Sequence, residues 1–259
     1  MIRILSNYAL PFAAILSVSE PAAAQKILLQ LKPHVGDTIR MHLTQTIEMS
    51  GRAPGSSGDA IPPVTTSTDV FSRAIPYQWT EGGTLIHAIT DSITAPTGAA
   101  GAMEVRRLAM PVKPAVLRVS LDGAMEVVDD GDPNSEVRHI FSEMPAMLTG
   151  RPVSVGEQWS KEMRLPAGSS SGPVGTLKAV MHFDSLSRNS EIAYISIKGT
   201  VSRVKSQTGT FVGSLQIDRA LGWITDARTT ISMRSRAAAP KPVQVRTRVT
   251  VWSRAVKGS

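Results

Sequence analysis

The sequence predicts a mainly β protein: one large, curved antiparallel sheet or half-barrel, with a single amphipathic helix at about 132–150 packed on it. Three observations carry this. Apolar and polar residues alternate with period two through most of the chain, the signature of strands buried on one face. Gly-, Pro-, Ser- and Asp-rich turns divide the alternating runs. One stretch after the N-terminal leader, DPNSEVRHIFSEMPAMLTG, has a helical period instead.

In that stretch Val137, Ile140, Phe141, Met144, Met147 and Leu148 fall on one helical face. Asp132 is placed to cap the first turn, Pro133 suits the first helical position and Gly150 supplies a left-handed stop. Pro145 lies inside the pattern and is expected to kink or shorten the helix, because it lacks a donor and crowds the preceding turn.

Taken in order, residues 1–24 read as a secretory signal peptide. Arg3 is the charged head, Ile4 to Val18 the apolar run, and Ala22-Ala23-Ala24 the small-residue cleavage site, so the mature chain starts at Gln25. The apolar run is too short and interrupted to span a bilayer, so no transmembrane span is expected after leader cleavage. The protein is therefore expected to be periplasmic or secreted. It has no cysteine, which removes disulfides and thiolate metal sites and leaves core burial to hold the fold. Residues 25–259 are enough for that, either as one β-rich domain or as two β units (25–131 and 151–259) joined through the 132–150 helix.

Val35-Gly36-Asp37 is a turn. After it Ile39, Met41, Leu43, Ile47 and Met49 alternate with Arg40, His42, Thr44, Thr46 and Glu48, predicting a long half-buried strand. Residues 51–63 are Gly-, Ser- and Pro-rich and predict an exposed loop. Strands follow at 65–75 and 84–94, then a small-residue turn at 97–102. Asp122-Gly123 predicts a two-residue hairpin within 118–128. Val155-Gly156-Glu157 echoes Val35-Gly36-Asp37, a weak internal repeat. Leu177, Ala179, Met181 and Phe183 alternate on the next strand. Strands at 191–205, 210–217, 223–233 and 243–252 complete roughly ten, with Asp218–Gly222 a tight turn.

These residues carry a resemblance. The Val-Gly-acid turn followed by an aromatic (Val155 to Trp159), and later Gly213, Leu215, Asp218 and Gly222 in a hairpin, resemble an uncharacterised family of secreted bacterial β-rich proteins, over roughly residues 26–254. The architecture also resembles periplasmic lipoprotein-carrier half-barrels, in which helix covers a curved sheet. The resemblance implies no catalytic residue.

The chemistry-bearing patterns are sparse. Gly168-Ser169-Ser170-Ser171-Gly172 matches a nucleophile elbow in letters but lacks the strand–turn–helix setting, since Pro173 and a strand follow. His34, His42, His87, His139 and His182 make no metal-binding spacing. His182 and Asp184 share a strand face and are the one dyad in prospect, without a visible third partner. The expectation is a non-enzymatic protein with no cofactor and no metal.

Charge says more. The net charge is +7, and from Val201 onward 11 Lys/Arg against 2 Asp/Glu give +9, leaving −2 for the rest. Arg228 and Arg234 alternate away from Ala227, Ile231 and Met233; Arg246 and Arg248 alternate away from Val243, Val245, Val249 and Val251. If these strands pair, one outer face is basic, suited to an anionic envelope surface. Nucleic acid is not expected, since aromatics are few and no reader motif is present. Methionines recur in both halves and in the helix, residues able to line an adaptable apolar site or fill a core.

Two functional readings stand. One is an exported cell-envelope protein binding an apolar or amphiphilic ligand between curved sheet and helix, with Met41, Leu43, Phe141, Met144, Met181 and Phe183 lining the cavity. The other is a structural or interaction protein that contacts an anionic envelope surface through Arg228, Arg234, Arg246 and Arg248.

Overall fold

The computed structural model describes residues 26–52, 60–97, 102–107, 114–129, 146–164, 175–203, 207–237 and 243–258. They form twelve strands: β1 (Ile39–Arg52), β2 (Ala60–Thr80), β3 (Gly83–Thr97), β4 (Ala102–Arg107), β5 (Ala115–Val119), β6 (Met125–Asp129), β7 (Gln158–Arg164), β8 (Thr176–Leu186), β9 (Ile192–Arg203), β10 (Gln207–Asp218), β11 (Trp223–Ala237) and β12 (Val243–Lys257). All lie in one sheet of order β6-β5-β3-β2-β1-β12-β11-β10-β9-β8-β7, with β4 paired to β3 outside that path. Each pairing is antiparallel. The chain runs as two meanders whose first and last long strands, β1 and β12, zip together over fourteen residue pairs from Ile39↔Lys257 to Arg52↔Gln244.

The sheet is strongly curled. The Ile27 N–H and carbonyl both pair with Val153, just before β7, and the Leu31 N–H donates to the Leu121 carbonyl in the β5–β6 turn. Four residues reach at most about 14 Å. A flat sheet would hold those two edges roughly 48 Å apart at normal strand spacing. Residues 146–153 bridge the same gap: the Trp159 indole donates to the Met147 carbonyl at 2.9 Å, and the Leu148 N–H to the Asp122 carbonyl at 2.9 Å. Among the described residues β6 and β7 do not pair, so the sheet stays unclosed there.

One end of the curled sheet is sealed. Ile27, Leu29 and Leu31 are buried in alternation on an extended segment that crosses its interior, and Leu148 and Val153 join them. The segment is fastened at Gly222, whose carbonyl accepts the Lys32 N–H. Gly222 has φ +66, and a Cβ there would collide with the Lys32 carbonyl oxygen, so only glycine lets the crossing segment lie this close. The core around this plug draws on Ile39, Ile86, Val119, Met181, Phe183, Ile195, Ile197, Ile217 and Trp223, from both meanders.

The Val-Gly-acid echo is structural. Gly36 (φ 92) donates its N–H to the Pro76 carbonyl of β2, and Gly156 (φ 89) to the Phe183 carbonyl of β8; each turn thus opens a strand and ties it to the next. The acid is held in each. Asp37 pairs with Lys257 at 2.8 Å, and Glu157 pairs with Arg151. The Ser154 N–H, then Arg151, hold the Glu157 carboxyl below its usual range.

Three expectations need correction. The Asp122-Gly123 loop is wider than two residues: strands stop at Val119 and restart at Met125, because the Leu121 and Asp122 carbonyls turn inward to receive the N–H groups of Leu31 and Leu148. Part of the 51–63 loop is strand, with Arg52 opposite Ala60; a register shift between Met49 and Gly51 accommodates the Pro62-Pro63 step, which has no N–H to give. β4 was not anticipated. Of the helix expected at 132–150, residues 132–145 lie outside the described residues, 146–150 are irregular, and no helix occurs among the described residues.

Candidate functional site

Side chains on the concave face change character along the strands. At the sealed end Ile39, Met181 and Phe183 are fully buried. On the walls made by β1, β2, β11 and β12 the same face opens toward the other end of the sheet. Met41, Leu43 and Ile47 are half-buried, and Met49 and Val64, paired across β1 and β2, are 44% and 51% exposed. The register continues this surface across β12 and β11: Ile47 faces Val249, which faces Ile231, and Gln45 faces Val251. Leu43, Ile47, Val249, Val251, Ile231 and Met233, none fully buried, therefore line a largely apolar trough above the plug, with Gln45, Ser253, Thr229 and Thr247 interspersed on the same face. Among the described residues nothing packs over Met49 and Val64, the exposed apolar end of this face.

The expected cavity residues divide accordingly. Met181 and Phe183 belong to the packed core, with no exposed surface. Met41 packs against that core from the side, and Leu43 stands higher, on the trough wall. Phe141 and Met144 lie outside the described residues. Sequence reasoning passed over Val249, Val251 and Ile231 as trough residues, although their alternation against the arginines marked the face. It also passed over Ile27, Leu29 and Leu31, whose spacing of two was a visible signal.

The convex face is polar and partly basic. Arg228, Arg234, Arg246 and Arg248 do share it: Arg234 is directly opposite Arg246, Ser232 opposite Arg248 and Arg228 opposite Trp252. Trp252 lies between two guanidinium groups, Arg254 at 3.9 Å and Arg228 at 4.7 Å from its ring centroid. Its indole donates to Asp226, which also faces Arg228 and Arg254 at 3.4 and 3.6 Å. Arg248 has Glu48 at 3.6 Å. Cation–aromatic stacking and a shared carboxylate thus tie the Arg228 end of the patch to the sheet. Arg234 and Arg246 carry no ion pair among the described residues.

Next to Trp252 on the same face, His42 stacks on Phe71 at 4.2 Å, and its Nε2 is 2.9 Å from Asp69 Oδ1. The Thr44 hydroxyl donates to the same oxygen at 2.6 Å. The Thr44 hydrogen bond, then His42, hold the Asp69 carboxyl below its usual range against the opposing effect of burial. A depressed carboxyl stabilises the fold above its unfolded pKa, near 4, and that contribution is lost as pH falls through the lower folded value. Asp69→Asn should therefore cost about 1 kcal/mol at neutral pH, with the difference vanishing in strong acid. Chemical denaturation of both proteins from neutral to acid pH checks this; a constant difference would refute it.

His182 and Asp184 also meet, Nδ1 to Oδ1 at 2.6 Å, and the Ser196 hydroxyl donates to the same carboxylate at 2.9 Å. The serine is on the carboxylate rather than on the imidazole, so the serine–imidazole bond that a nucleophilic relay requires is not made here. Both groups are more than a third exposed on the convex face. Ser170 lies outside the described residues. Among the described residues no cluster of three His, Asp or Glu could hold a metal ion, and no helix is long and apolar enough to cross a membrane.

No family model matches the chain, and no curated protein matches it. Among solved structures, an outer membrane channel from Pseudomonas putida F1 aligns over 92% of this chain and 99% of its own length, at 11% identity and a TM-score of 0.23. A likeness that low carries no argument about fold or function.

Proposed function

We propose that this is an exported cell-envelope protein of non-enzymatic type that holds the apolar part of an amphiphile, such as a lipid chain, in the open half of its curled sheet. The observation that carries the proposal is the gradient on the concave face, from fully buried Ile39 and Phe183 through partly buried Leu43, Ile47, Val249 and Ile231 to exposed Met49 and Val64. A plugged floor and an open apolar wall make a blind trough, the form in which sheets hold apolar chains. The leader expected at 1–24 supplies the export, and the likeness to secreted β-rich proteins and lipoprotein carriers is part of the same proposal.

Charges placed on the wall should weaken this binding without emptying the core. Ile47→Glu with Val249→Glu removes contact with two or three methylene groups, about 2 kcal/mol in all, so affinity for an environment-sensitive fluorescent fatty acid should fall roughly 30-fold. The two new carboxylates would face each other across β1 and β12, which costs some stability, so affinities are compared under conditions where the variant is shown by its unfolding curve to be folded. Equal affinity in the variant would refute the trough.

A further inference from the structure

We propose that the open end of the sheet is a docking face for a bilayer containing anionic phospholipids. Strands β1, β7 and β9 run toward that end and finish on Arg52, Arg164 and Arg203, and β11 reaches Arg236 one residue before its end. Just inside this rim, exposed Arg234 and Arg246 stand directly opposite one another, with Arg248 two residues further along. Like charges facing each other across two strands repel. Among the described residues neither has a carboxylate partner, whereas Glu48 and Glu162 at this level are engaged by Arg248 and Lys178. At the sealed end several cations are paired with carboxylates: Lys257 with Asp37, Arg151 with Glu157 and Arg118 with Glu126. Arg234 and Arg246, opposed and without carboxylate partners among the described residues, thus stand at the open end beside the strand-terminal arginines.

Phosphate groups would relieve the Arg234–Arg246 opposition by bridging it. A bilayer is favoured over a soluble polyanion because two features coincide. The exposed Met49 and Val64 of the concave face open at the same level as the arginines. A bilayer surface offers phosphate to the arginines and hydrocarbon to the trough at once; a polyanion uses only the charge. The inference rests on the trough reading for what would pass between membrane and protein, but docking is measured separately from ligand binding.

The test is flotation of the exported protein with vesicles of phosphatidylcholine alone and with added phosphatidylglycerol, at low and high salt. Binding should require phosphatidylglycerol and weaken with salt. Arg234→Glu with Arg246→Glu should weaken it at least roughly 30-fold, while fatty-acid probe binding measured without vesicles is retained. Arg234→Gln with Arg246→Gln gives the same reading, at smaller amplitude, if the charge reversal impairs folding. Lys26→Glu with Lys32→Glu, at the sealed end, should change nothing. Docking is overturned if the rim variant floats like the wild type, if the sealed-end variant loses binding, or if heparin binds while vesicles of either composition do not. Salt-sensitive flotation in a protein that takes up no fatty acid would leave docking standing and refute the trough.

Discussion

Leu29→Ala combined with Leu31→Ala should lower the free energy of unfolding by at least about 4 kcal/mol, from two cavities of the usual leucine-to-alanine cost. Both side chains are 1% exposed and lie on the segment that seals the sheet. Among the described residues the segment has no strand neighbour along its length; it is held by the Ile27–Val153 bridge and single hydrogen bonds to Leu121 and Gly222. Packing of these leucines therefore supplies most of what keeps it in place, and losing it exposes the floor of the core. The loss is a large part of the 5–15 kcal/mol that a domain has in total. Denaturant unfolding gives the number. Leu28→Ala, one residue away but 42% exposed, should cost under about 1 kcal/mol. Equal costs at 28 and 29 would mean that the segment does not plug the sheet.

Phe183→Ala should cost about 3–5 kcal/mol, the range for a buried aromatic. Phe183 is fully buried on β8, and its backbone also serves the second Val-Gly-acid turn: its carbonyl accepts from Gly156 at 2.7 Å, and its N–H donates to the Glu157 carbonyl at 3.0 Å. The side chain and the turn are thus fixed together, leaving little room for the site to collapse around a cavity. Phe71→Ala, on the convex face and 42% exposed, should cost about 1 kcal/mol or less. A cost at Phe183 near that of Phe71 would indicate space around Phe183, as a ligand cavity requires, rather than the closed core described above.

Much of the sheet was legible because burial on one face writes a period of two into the sequence. The alternation from Ile39 to Met49 and from Leu177 to Phe183 gave strand and inward face together. The alternation of Arg228, Arg234, Arg246 and Arg248 against Val and Ile pointed to one face, and in the β11–β12 register Arg234 stands opposite Arg246. The Val-Gly-acid echo marked two turns of the same build. What escaped was whatever depends on contacts distant in sequence. Ile27, Leu29 and Leu31 also alternate, but their partners are Val153, Leu121 and Gly222, and nothing local announces a strand-like segment that crosses the interior. The Asp122-Gly123 pair has the letters of a tight hairpin, yet its neighbours' carbonyls are taken by two crossing segments, so tertiary demand set the loop. Met181 and Phe183 look the same as Leu43 by pattern; only their height on the sheet separates floor from wall, and height is fixed by strand stagger that a single sequence does not contain.

The trough is tested most directly by native mass spectrometry of the protein purified from the cells that make it, followed by organic extraction, for the wild type and for Ile47→Glu with Val249→Glu. The account predicts a stoichiometric adduct on the wild type that extracts as lipid and is absent from the variant. A wild-type mass free of any adduct, together with no uptake of added fatty acid, would contradict it and leave the concave face as unfilled apolar surface.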